Sequence, residues 1–385
     1  MNMYELIKKG YLEVQKYGFA DKFIREDNTI EDFDNILKDN VNCLEIIRSN
    51  MFYRPKNFAV NKAYSYRFRH IVICWLMGVG FMEYIFPQKE SINYLLHKQW
   101  LLSAFTHDYG WFCEETLGEN PMPKKDFKDS FGDVFLLKDT YETPSLHSLN
   151  NFLNKNKDIM SATYGEILEY YESSIRYHER VKEEDPNKFD PEYCDHGVVG
   201  GCVAFKEYND SVEKIRKRKK DESGIDFDDG IRIKELNKVA CLITAAHNVW
   251  GKRIEKNNRL LLLMALVDSI ECYKRFAIMK KGKVNPEAYI GWKIIYDNIN
   301  VEIKDNTIEL DYSMLRKYIQ KKRKDRENEF ISCLDGYIYS LTGEINKPKS
   351  GLKGWTSYTA EKVNEDIITI REMTDEEIDE LKNKD

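Results

Sequence analysis

The chain has 385 residues, 42% hydrophobic and 32% charged, with a formal net charge of -6. That balance is ordinary for a folded globular protein, suffices for one large or two modest domains, and confers no general affinity for nucleic acid. The 8 cysteines include no CxxC pair, and Cys74, Cys202, Cys241 and Cys272 fall in apolar runs where a free thiol acts as a small hydrophobe. With no secretory core at the N-terminus, and an apolar stretch at residues 71–80 too short to span a bilayer before Glu83, the chain reads as cytoplasmic with no membrane partner.

Residues 1–55 read as an N-terminal helical extension. MNMYELIKKGYLEVQKY is amphipathic, and Asn28 or Thr29 caps a later segment with acidic residues in its first turn. Pro55 and Asn57 separate this extension from the next segment. His70 then opens the apolar stretch HIVICWLMGVGFMEYIF, preceded by Arg67 and Arg69, which either face an anionic substrate or serve as surface cations. Residues 91–106, SINYLLHKQWLLSAFT, carry Ile92, Leu95, Leu96, Leu101, Leu102 and Phe105 at helical spacing and lead into His107 and Asp108. Gly110 can release this helix into a turn. His97, between Leu96 and Lys98, reads as a helix-surface residue.

Residues 118–149, with Pro121, Pro123 and Pro144, read as an excursion or lid rather than a regular element, and their His147 has no apolar frame. His178 falls on the polar end of a helix at residues 165–181. His196 comes after a polar loop and precedes Gly197, Gly200 and Gly201, small residues suited to close packing or close approach of a substrate. The basic runs at 213–222 and 321–326 suit solvated helix ends or a polyanion; the acidic loop at 221–229 lacks the spacing of a calcium loop. His247 interrupts ACLITAAHNVWG, and Asp268 interrupts RLLLLMALVDSIECYKRF, whose continuous apolar run suits the central helix of a bundle.

Residues 281–385 read as a small α+β appendage. VEIKDNTIELD predicts two short strands about the turn pair Asp305-Asn306. The stretch SMLRKYIQKKRKDRENEFISCLDGYIYSL returns to helix, and an aromatic patch stands at Trp355 and Tyr358. DIITIR supplies a third strand, and Thr374 caps a last acidic helix. The appendage suits a structural role, an oligomer contact or substrate selection.

His70, His107, His196 and His247 border or interrupt apolar segments, and Asp268 places a carboxylate inside one. Buried imidazoles and carboxylates are costly unless partnered, and one shared metal centre satisfies them all. The order His70, His107-Asp108, Asp268 resembles, over about residues 60–280, the signature of the HD-domain metal-dependent phosphohydrolase superfamily, which implies a catalytic domain at residues 56–280. The added His196 and His247 resemble its two-metal members, among them cyclic-di-nucleotide phosphodiesterases and CRISPR-associated HD nucleases. The resemblance implies a mainly α fold, here an HD-domain helical bundle with the α+β appendage.

It further implies hydrolysis of a phosphoester by metal-activated water. A first ion is held by His70, His107, Asp108 and Asp268, and a second by Asp108, His196 and His247. Manganese or iron is favoured for such donors, with cobalt, nickel or zinc also suited. Asp108 serves catalysis as the bridging carboxylate, and Arg69 and Lys274 are the candidate phosphate-facing cations. The favoured substrate is a nucleotide or cyclic nucleotide. A nuclease acting on single-stranded nucleic acid and a non-enzymatic metal-containing helical protein are the alternatives. Three features depart from the two-metal pattern: Trp111 occupies the place of a lysine shortly after the HD pair, His247 is followed by Asn248 rather than completing a histidine doublet, and no GYP motif is present after the later histidines.

Overall fold

The computed structural model describes residues 1–16, 66–86, 92–108, 259–272, 279–280, 283–284, 291–304, 307–346 and 358–382, together with single residues elsewhere, His247 among them. These residues form a mainly α fold with a small C-terminal antiparallel sheet. The helices are α1 (Met3–Lys16), α2 (Tyr66–Ile85), α3 (Tyr94–Thr106), α4 (Arg259–Ile270), α5 (Trp292–Asp297), α6 (Ser313–Lys322), α7 (Glu327–Asn346) and α8 (Asp375–Lys382). The strands are β1 (Met279–Lys280), β2 (Lys283–Val284), β3 (Asn300–Lys304), β4 (Thr307–Asp311), β5 (Tyr358–Lys362) and β6 (Ile367–Glu372).

The chain divides into two compact units, one of Met1–Asn40, Ile73–Ile92 and Trp250–Asp385, the other of Val41–Val72 and Asn93–Val249. In the first unit α1 buries Met3, Tyr4, Leu6, Ile7, Gly10, Tyr11 and Val14, a stripe at three- and four-residue spacing. Asn2 caps it, its side-chain oxygen accepting from the Glu5 N–H at 2.8 Å. The stripe packs on α2 through glycines: a Cβ added at Gly10 would lie 1.9 Å from the Leu76 carbonyl oxygen. From Ile71 to Met82 α2 is apolar on every face. By length and composition its Phe68–Ile85 stretch would cross a membrane, but 89% of it is buried within the fold, as in the core helix of a globular protein.

The end of α4 is tied down by tyrosines of the same unit. The Tyr337 hydroxyl donates to the Ile270 carbonyl at 2.8 Å, and Tyr296 donates to the buried Glu271 carboxylate. Burial, reinforced by that neighbouring carboxylate, pushes the Tyr296 phenol far above its ordinary range, so it stays a donor.

The four-stranded sheet runs β3-β4-β6-β5, every pair antiparallel. Val301, Ile308, Leu310, Ile368, Ile370, Tyr358 and Ala360 are buried while their neighbours along the strands are more exposed, the alternation of a sheet covered on one face. The predicted hairpin is β3 and β4, with Lys304 opposite Thr307; its turn pair lies outside the described residues. The predicted third strand is β6. Thr374 caps α8 as expected. Its hydroxyl accepts from the Glu377 N–H at 3.3 Å while the Glu377 carboxylate accepts from the Thr374 N–H at 2.8 Å, a reciprocal capping box.

Sequence reasoning missed three features here. β5 arises where only an aromatic patch was expected, and β1 and β2 form a two-stranded ribbon. The helix expected across residues 313–341 breaks at Arg323, whose φ of -123° and ψ of 40° leave the helical region, and a 3₁₀ turn at Lys324–Arg326 comes next. Five basic side chains in six residues repel along one continuous helix, and the break lets Arg323 reach Asp325 at 3.4 Å.

Candidate metal centre

His70 lies in the second turn of α2 and is fully buried. His107 is the residue that closes α3, its N–H donating to the Ser103 carbonyl at 3.0 Å, and Asp108 is the next residue. The end of α3 is braced on both sides. The Thr106 hydroxyl meets the Leu102 carbonyl at 2.8 Å and the Thr244 hydroxyl at 2.6 Å, and Thr244 stands three residues before His247. A short run of helix thus fixes His107 while the brace brings His247 to it.

The two imidazoles face each other through their Nε2 atoms, 3.2 Å apart. The Asp108 carboxylate lies 3.6 Å from the His70 Nε2 through one oxygen and 3.7 Å from the His107 Nε2 through the other. Asp108 is 5% exposed and both imidazoles are fully buried, so water cannot solvate the cluster.

The second ring nitrogens determine the tautomers. The His107 Nδ1 lies 2.7 Å from the Ala104 carbonyl, which can only accept, so Nδ1 carries the proton and the neutral ring presents a lone pair at Nε2. The His247 Nδ1 makes the same bond to the Thr244 carbonyl at 2.6 Å, and its Nε2 likewise presents a lone pair. The His247 ring stands 5.3 Å from that of His107, edge to face at 88°.

A 3.2 Å separation matches neighbouring ligands on one ion: metal–nitrogen bonds of about 2.0–2.1 Å at 90–110° place two nitrogens roughly 2.9–3.4 Å apart. Cys74, one turn beyond His70 on α2, and Asp268 on α4 join the group. One ligand atom from each of His70, Cys74, His107 and Asp268 lies within 4.8 Å of every other. Buried histidines, a carboxylate and a thiol in that arrangement are able to coordinate a metal ion, and the donors fit a divalent one.

Of the residues singled out from sequence, His70, His107 and Asp268 are thus brought together, with Asp108 beside the imidazoles and His247 at the edge of His107. Arg69 is on α2 and buried. His196 and Lys274 lie outside the described residues, as do Trp111, Asn248, His147, His178 and the side chain of Arg67. Gly197, directly after His196, is helical and buried.

Two readings need correction. His97, expected at the helix surface, is 1% exposed. Sequence neighbours do not share a helix face, whereas Trp100 and Leu101, three and four residues on, do, and both are fully buried. Cys74, read as apolar filler, stands in the group able to hold an ion. The signal available in sequence was its place four residues after His70, a spacing that sets two ligands on one helix face. Comparison of the chain with known protein families, with characterised proteins and with solved structures gave no match in any of the three.

Proposed function

We propose that the chain is a metal-dependent phosphohydrolase of the HD type, acting on a phosphoester of a nucleotide or cyclic nucleotide. The observation that carries this reading is the facing pair of His70 and His107 with the Asp108 carboxylate set against both. Its imidazole and carboxylate donors, taken alone, suit manganese or iron, with cobalt, nickel or zinc also suited. A divalent ion bound there supplies Lewis-acid polarisation of a phosphoryl oxygen and lowers the pKa of water toward neutrality.

The chain's own residues do the rest. The Ala104 and Thr244 carbonyls hold His107 and His247 in the tautomer that leaves a lone pair on Nε2. Asp108, next after the residue that closes α3, orients the attacking water. Arg69, buried on the helix of His70, is assigned with Lys274 to the negative charge that builds on the phosphoryl oxygens. His196, His247 and Asp108 would hold a second ion.

The test uses the whole chain, stripped by chelation and reloaded with manganese or iron. It is assayed against nucleoside monophosphates, cyclic nucleotides, dinucleotides and single-stranded DNA. Hydrolysis should appear on reloading and vanish with chelator. Asp108→Ala should cut it by more than about 100-fold, beyond the loss expected for an outer partner of a metal ligand, while far-ultraviolet dichroism stays helical. Full turnover in stripped protein or in Asp108→Ala would refute the proposal. A bound ion without turnover on any of these esters would make the chain a metal-containing binding protein instead.

A further inference from the structure

We propose that Cys74 binds the ion at this centre as a thiolate, so that the site selects a thiophilic divalent metal, zinc, cobalt or ferrous iron, over manganese or magnesium. The inference rests on the metal-centre reading and specifies its ligands and its metal. Cys74 stands four residues after His70 on one unbroken helix, and residues four apart project from the same face one turn above each other. Such a pair forms a chelate that is rigid before the ion arrives.

The distances agree. Two ligands on opposite sides of one ion are separated at most by the sum of their bonds, roughly 4.4 Å for a sulfur at about 2.3 Å and a nitrogen at about 2.1 Å. The four ligand atoms lie within 4.8 Å of one another, so they span one coordination sphere with a few tenths of an ångström of contraction. The thiol is fully buried in an apolar helix, where an isolated thiolate is costly, and the cation offsets that cost. Binding releases the thiol proton to solvent. Thiolate donors favour softer metals, whereas carboxylates and water suit manganese and magnesium.

The experiment is cobalt substitution followed by metal competition on the full chain. Cobalt-loaded wild type should show a near-ultraviolet thiolate-to-cobalt charge-transfer band, and Cys74→Ser should lose it while still binding cobalt. Cys241→Ser, altering another buried cysteine, should keep the band. In competition titrations Cys74→Ser should lower the preference for zinc over manganese by at least about 10-fold. Stoichiometric cobalt without the band in wild type would overturn the thiolate ligand and leave the metal centre standing. A band that persists in Cys74→Ser would overturn it too, by assigning the sulfur elsewhere. Protein that takes up neither cobalt, zinc nor manganese would overturn both readings. The wild-type spectrum decides between these outcomes even where a variant fails to fold, and Cys74→Ala provides a second replacement.

Discussion

Glycine-to-alanine exchange at two helical positions should change stability in opposite directions. At Gly10 a Cβ would meet the Leu76 carbonyl oxygen at 1.9 Å and the Gly80 nitrogen at 3.1 Å. The contact is reciprocal, since a Cβ at Gly80 would lie 2.6 Å from the Leu6 carbonyl oxygen. Carbon and carbonyl oxygen approach to about 3.3 Å at closest, so α1 and α2 must part locally by more than about 1 Å. Overpacking costs about 1–3 kcal/mol, and the upper end applies because a backbone carbonyl cannot rotate aside as a side chain can. Alanine returns about 1 kcal/mol through its better helix propensity, leaving a net loss of about 2 kcal/mol. At Gly343 in α7 nothing lies within 4 Å of the added Cβ, so only the propensity gain of about 0.5–1 kcal/mol survives. Urea unfolding should place the Gly10→Ala midpoint below wild type and the Gly343→Ala midpoint above it, with slopes unchanged. A Gly10→Ala protein as stable as wild type would refute the close approach of the two helices.

Acid should act on the capping box of α8. The Glu377 carboxylate accepts from Arg371 at 2.9 and 2.7 Å and from the Thr374 N–H, and these bonds, Arg371 first, hold its pKa down at about 2. A folded-state pKa below the unfolded value of about 4.3 contributes stability above that value, lost as pH falls from about 4.3 toward 2. Nuclear magnetic resonance titration of the Glu377 side chain should show the low midpoint, and Arg371→Gln should raise it; a wild-type midpoint near 4.3 would defeat the assignment. Arg316, mostly buried, reaches Asp366 and Asp335 at 2.5 Å each and Glu365 at 3.6 Å. Arg316→Met strands the mostly buried Asp366 carboxylate and should destabilise by about 1–3 kcal/mol, with Asp366→Asn in the same chain recovering part of the loss. Independent, additive effects of the two substitutions would show that the pair does not interact.

Features legible in the sequence are those whose cause is local. The alternation in VEIKDNTIELD, with two residues between Lys304 and Thr307, specified both strands and their register. Thr374 and Glu377, three apart, sufficed for a cap. β5 was missed because it is an edge strand. YTAEK buries only Tyr358 and Ala360, and its pairing with β6 alone makes it a strand, through contacts that its own composition does not encode.

The metal centre divides along the same line. His70, His107, Asp108 and Asp268 stood out because an imidazole or a carboxylate inside an apolar run needs a partner, which is visible without knowing the partner. Cysteine sends no such signal: a buried thiol is content among leucines, and Cys74 in IVICWLM reads as one more apolar residue. His97 errs the other way, a polar residue that looked solvated beside Lys98 yet is buried on the face of Trp100 and Leu101. Helix phase separates the two cases. Counting four residues from His70 arrives at Cys74, and counting three and four from His97 arrives at Trp100 and Leu101. The face on which a side chain lies therefore carries more about its role than the polarity of the residues beside it.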